Sequence, residues 1–137
     1  MAQRNPVSLP GVFIMGLTAA SLAVFSARAA EDAAKEVTTA ATHAGLAAAA
    51  KDMKDVQMHL HHTVNCLVGP AGAGFDTKEA NPCKDQGNGA IPDTKDPGKL
   101  AALRDALTQV NNGLKQTDMA AAQKDASAAQ GLIKKAM

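Results

Sequence analysis

The sequence has no tryptophan and no tyrosine, and only three phenylalanines among its 137 residues. Two of them, Phe13 and Phe25, lie in the first 29 residues, so Phe75 is the one aromatic side chain of the remaining body. Without aromatic platforms there is nothing for bases to stack on, and the near-neutral formal charge of +1 offers no basic field for a phosphate backbone. Both shortages exclude nucleic-acid binding. Extended sheets are disfavoured as well, because strands draw on aromatic and β-branched residues. What remains for a core is Ala, Leu, Val and Met, and alanine is the best helix former.

Catalytic signatures are also scarce. Beyond residue 29 the sole serine is Ser127, with no histidine near it in sequence and no Gly-x-Ser-x-Gly elbow. No phosphate-cradling glycine loop is present. The Cys-x-x-Cys-His attachment of c-type haem is missing. EF-hand spacing is missing too, although Asp76, Asp85, Asn88, Asp93 and Asp96 supply oxygen donors between glycines and prolines. These absences argue against an enzyme, against covalent haem and against an EF-hand calcium site.

The first 29 residues read as a signal peptide. Arg4 gives a positive start and an apolar stretch runs from Val12 to Phe25. Ala27-Arg28-Ala29 then forms a small-x-small cleavage site, with Glu31 and Asp32 just beyond it. The apolar stretch is about 14 residues, short of the roughly 20 that span a bilayer. Cleavage would remove Arg4 and Arg28 and leave 12 basic against 13 acidic residues, a net charge of −1. The expected product is a periplasmic or secreted protein of residues 30–137 with no stable membrane insertion.

That body divides into three parts. Residues 30–68 are helical by composition, and Leu46, Ala49, Met53, Val56, Leu60, Thr63 and Leu67 follow a helical 3-4 spacing, with Val64 beside them. Gly45 is the candidate break in this stretch, leaving one helix or two. Residues 69–98 hold six glycines and four prolines and read as a long crossover loop. Residues 99–137 read as a helical hairpin, with Leu100, Leu103, Leu107, Val110 and Leu114 on its first arm. Its second arm carries Met119, Ala122, Ala126, Ala129 and Ile133. The turn between them falls at Gln116-Thr117-Asp118, where Thr117 or Asp118 caps the second arm. The expected fold is an all-α, small up-and-down bundle of three or four helices with one long disulfide-tied crossover loop.

The closing hairpin resembles in size and spacing the haem-carrying four-helix bundle cytochromes of the b type. Those bundles place an axial histidine near the end of the last helix. Here the tail reads Leu132-Ile133-Lys134-Lys135-Ala136-Met137, so the resemblance extends to architecture only, and a non-covalent haem-binding bundle, which would need an axial His or Met and a large apolar pocket, stands as the less favoured alternative.

Cys66 and Cys83 are the two cysteines, an even count that suits a disulfide in an oxidising compartment. Their bond would pin the loop to the end of the first helical stretch. All four histidines, His43, His59, His61 and His62, lie in that stretch. At about 100° per residue, Asp55, His59, His62 and Cys66 fall within about 60° of one another along the border of the apolar face. His61 points elsewhere. His59 and His62 are three residues apart and therefore neighbours.

Imidazoles suit copper, zinc and nickel, a carboxylate such as Asp55 can complete or orient the set, and Met58 can add a thioether. The spacing thus points to a transition-metal site at His59, His62, Asp55 and Met58, with His43, about four turns away, assigned to surface or packing. Two other readings of the same residues remain at this level. One is a metal-free interaction module of the cell envelope, binding another exported protein or a second copy of itself. The other is an acid-responsive helix end.

Overall fold

A computed structural model describes residues 20–137, with side chains from residue 32 onward. The expected leader, residues 1–29, lies mostly outside the described residues, and its end, 20–29, is backbone of the first helix. Among the described residues every regular element is a helix and none is a strand: α1 (Ala20–Ala49), α2 (Met53–Val68), α3 (Ala90–Asp93), α4 (Pro97–Lys115) and α5 (Met119–Lys134). The four long helices close into a ring in which α1 packs on α2, α2 on α4, α4 on α5 and α5 on α1. Short turns join α1 to α2 and α4 to α5, which makes those neighbours antiparallel. Among the described residues no helix is long and apolar enough to cross a membrane.

Three of the helices start in the same way. Asp52, Asp96 and Asp118 stand at the N-caps of α2, α4 and α5, and each carboxylate accepts the amide three residues on: Asp55 at 2.9 Å, Lys99 at 2.8 Å and Ala121 at 2.8 Å. Each satisfies an amide that the helix cannot, an interaction that contributes about 1 kcal/mol. Of the two capping candidates in the last turn, Asp118 is the one used. Pro97 opens α4, where its missing N–H leaves no donor unsatisfied, so this helix begins two residues earlier than the glycine and proline pattern implied.

The first helical stretch is two helices, and the break is not at Gly45. It falls at Ala50-Lys51-Asp52, where Asp52 turns extended and begins α2. Gly45 stays inside α1 for a packing reason: a Cβ there would collide with the amide of Gln130, whose Nε2 donates to the Ala41 carbonyl at 3.2 Å. Gln123 likewise donates to the Ala50 carbonyl at 2.8 Å, satisfying an acceptor at the C-terminal end of α1.

The break also resets the helical phase. Leu46 is 44 % exposed, and α1 buries Ala33, Val37, Ala40, Ala44 and Ala47 instead of Leu46 and Ala49. These alanines meet Ala122, Ala126 and Ala129 of α5, and small side chains let the two backbones approach closely. Leu60, Leu67, Val56, Leu103, Val110 and Ile133 supply the larger part of the core. On α4 the buried row is Leu103, Ala106, Val110 and Gly113, with Leu107 and Leu114 packed at its edge.

The crossover is folded rather than structureless. Cys66 and Cys83 are disulfide-bonded, with Cα atoms 5.2 Å apart. The wholly buried Asn65 accepts the Asp76 amide at 2.8 Å and donates to the Asp76 and Ala80 carbonyls at 3.0 and 3.1 Å. Gly69 and Gly89, at φ of 69° and 121°, press backbone against backbone where the loop returns to the foot of α2. From α1, Glu36 accepts the Gly89 amide at 2.6 Å. Its carboxyl is 1 % exposed, and its second oxygen, Oε2, has no hydrogen-bond partner. Burial pushes its pKa up to about 7, with Asp93 and Asp32 raising it further and the Gly89 amide working against the rise.

Candidate metal centre

The hairpin of α1 and α2 determines what faces what. Lys51 lies midway between His43 and His59, so folding α2 back along α1 sets these two side by side. His62, one turn further along α2, completes a triangle. Ring centroids are 5.3 Å apart for His43 and His59, 5.1 Å for His43 and His62, and 5.7 Å for His59 and His62. One nitrogen from each ring can be chosen so that all three lie within 4.8 Å of one another. This is the arrangement that could hold a metal ion.

Two details bear on that capacity. The Nδ1 atoms of His43 and His59 are 3.1 Å apart. Two imidazole nitrogens on one tetrahedral zinc, each about 2.0–2.1 Å from the ion, stand about 3.3 Å apart, so this pair already has nearly the right bite. His62 is 9 % exposed and its Nδ1 is buried with no hydrogen-bond partner. A buried polar atom without a partner is destabilising by roughly 1–3 kcal/mol, and a bound cation would relieve it.

Protonation favours binding as well. The pKa of His43 is lowered to about 4, first by burial and then by the neighbouring His62 and His59. That of His62 is lowered too, first by burial and then by His59, with His61 adding to the drop and Glu79 opposing it. Both imidazoles are therefore neutral at pH 7 with a lone pair available, the form that a metal requires.

The expected ligands divide as follows. His59 and His62 come together. Asp55 does not join them: it is exposed in the first turn of α2, and its amide is engaged by the Asp52 cap. Met58 is half-buried on α2, one residue before His59. The third member is His43, about four turns from His59 along an unbroken helix and expected at the surface or in packing on that spacing. The bend at residues 50–52 turns that separation into contact. The signal was present in the Asp52 cap, which marks a new helix start, and in the equal spacing of His43 and His59 about Lys51.

His61 faces away from the triad, and its Nδ1 meets Asp76 Oδ2 at 3.2 Å. Cys66 extends the histidine row by a turn and is committed to the disulfide, which leaves no free cysteine among the described residues. Among the His, Cys, Asp and Glu side chains, the atoms that could hold an ion here are thus the ring nitrogens of three histidines. Compared with known protein families, curated proteins and solved structures, the chain matches none.

Proposed function

We propose that the protein is an exported metal-binding bundle that buffers, senses or delivers a transition-metal ion held by His43, His59 and His62, with no catalytic step of its own. The observation that carries this reading is the convergence of three imidazoles from two helices, with ligand nitrogens mutually within 4.8 Å. The donor chemistry selects among ions. Imidazole suits copper, zinc and nickel, whereas magnesium and calcium ask for oxygen ligands that the triad does not contain. Three protein ligands also leave a fourth tetrahedral position for water or for a group on a receiving partner, which is compatible with release. The leader-like first 29 residues and the disulfide support an oxidising compartment outside the cytoplasm.

Calorimetric titration of residues 30–137 with Cu²⁺, Zn²⁺ and Ni²⁺ tests the proposal. One ion bound per chain at micromolar affinity or better, lost in the His43→Ala/His62→Ala double variant, is the expected result. Absence of such binding, or binding that the double variant retains, overturns it.

A further inference from the structure

We infer that Glu79, carried by the disulfide-tied loop, is the positioning carboxylate of the metal centre and sets its affinity by holding His62. This rests on the three-histidine reading above. An imidazole presents its two nitrogens on opposite edges, and those of His62 have different surroundings. Nδ1 is buried and without a partner. Nε2 looks toward Glu79, whose Oε2 is 3.9 Å away. Glu79 is not a member of the group whose ligand atoms lie mutually within 4.8 Å, so its assigned role is to hold the ring and not the ion.

With the unpartnered Nδ1 as the coordinating atom, the remaining ring proton would sit on Nε2 and that N–H would be a stronger donor. The carboxylate is then drawn in from 3.9 Å to hydrogen-bond range. Such a partner locks the tautomer, orients the ring and raises the basicity of the coordinating nitrogen, and its loss weakens metal affinity by about 10- to 100-fold.

The position of Glu79 follows from how the loop is anchored. The Ala80 carbonyl, next in the chain, accepts from Asn65, and Cys83 is bonded to Cys66. Asn65 and Cys66 lie within about one turn of His62 on the same helix. The ring and the loop backbone that carries its carboxylate are therefore fixed to one short piece of α2. The same loop presents a second carboxylate to a different histidine: Asp76 pairs with His61, outside the triad. It serves as an internal control of the same charge and the same loop.

The test is Zn²⁺ affinity at pH 7 of the unsubstituted protein and of the Glu79→Gln, Glu79→Ala and Asp76→Asn variants. It is read with the pH at which half the bound zinc is released and the melting temperature of each metal-free protein. Glu79→Gln is expected to weaken binding by about 10-fold or more and move zinc release to higher pH. Its metal-free melting temperature should not change, since the side chain is partly exposed. Glu79→Ala should weaken binding at least as much, and Asp76→Asn should leave it unchanged. Glu79→Gln binding like the unsubstituted protein, or Asp76→Asn weakening it equally, overturns the role of Glu79 and leaves the three-histidine centre standing. If the unsubstituted protein binds no zinc, copper or nickel, the centre falls and this role with it.

Discussion

The two halves of the bundle are built on different principles. Every buried polar or charged residue among those described, namely Glu36, His62, Thr63, Asn65 and Asp93, belongs to α1, α2 or the crossover. The α4–α5 hairpin buries Leu103, Ala106, Val110, Gly113, Ala122, Ala126, Ala129 and Ile133, and nothing that ionises. Burying a polar group is unfavourable unless it is partnered, so a region that concentrates such groups is organised for something besides stability. The apolar hairpin serves as a base against which the α1–α2 half can hold three imidazoles and an orphaned carboxyl oxygen. The α1–α2 half thus shares the apolar core, through Val56, Leu60 and Leu67, and carries the buried polar groups besides.

The clearest way to break that division is to damage the base. Ile133→Ala leaves a cavity under α5 and should lower stability by about 2–5 kcal/mol, measured by denaturant unfolding. Metal affinity under folding conditions should hardly change. An equal loss of both would mean that the halves are not separable. Removing the disulfide by Cys66→Ser/Cys83→Ser acts on the other half and should lower stability by about 3 kcal/mol, the value for a closed loop of this length. Here zinc affinity should fall together with stability.

Acid–base behaviour sharpens the contrast. Glu36 titrates at about 7 in the folded protein against an ordinary 4.5. The folded state therefore holds a proton that the unfolded state has released across that window. Its contribution is complete below pH 4.5 and is lost as the pH rises through 7. His43 and His62, with lowered pKa values, act oppositely: their contribution is complete above 6.5 and is lost as the pH falls, for His43 toward about 4. A Glu36→Gln variant isolates the carboxyl. It should match the parent at pH 4 and become increasingly the more stable of the two toward pH 8, followed by thermal melts. A gap that stays constant with pH would contradict the buried-carboxyl account.

The smallest effects come from the caps. Asp52→Ala and Asp118→Ala should each lower stability by about 1 kcal/mol. They should differ in metal affinity, because Asp52 shapes the turn that brings His43 beside His59 and Asp118 shapes the turn of the hairpin without ligands.

Much of this was legible in residue order. The bundle, the disulfide, the α5 stripe and the pairing of His59 with His62 follow from composition and period. His43 and Glu36 were missed for one shared reason. The apolar phase was carried through Ala50-Lys51-Asp52 as if the helix were continuous, and this placed the stripe on Leu46 and Ala49. With the phase restarted at the Asp52 cap, α1 runs Ala33, Val37, Ala40, Ala44 and Ala47, and Glu36 falls on the same buried row. The exposure of Asp55 was harder to foresee, since its angular position borders the apolar face.

His62, Asn65 and Cys66 share a single turn of α2 while each answers to a different part of the molecule. A helix is stiff over so short a length, so it cannot swivel to suit one of them and spare the rest. The His62 ring, the crossover backbone and the disulfide are consequently geared to the rotation of one short axle.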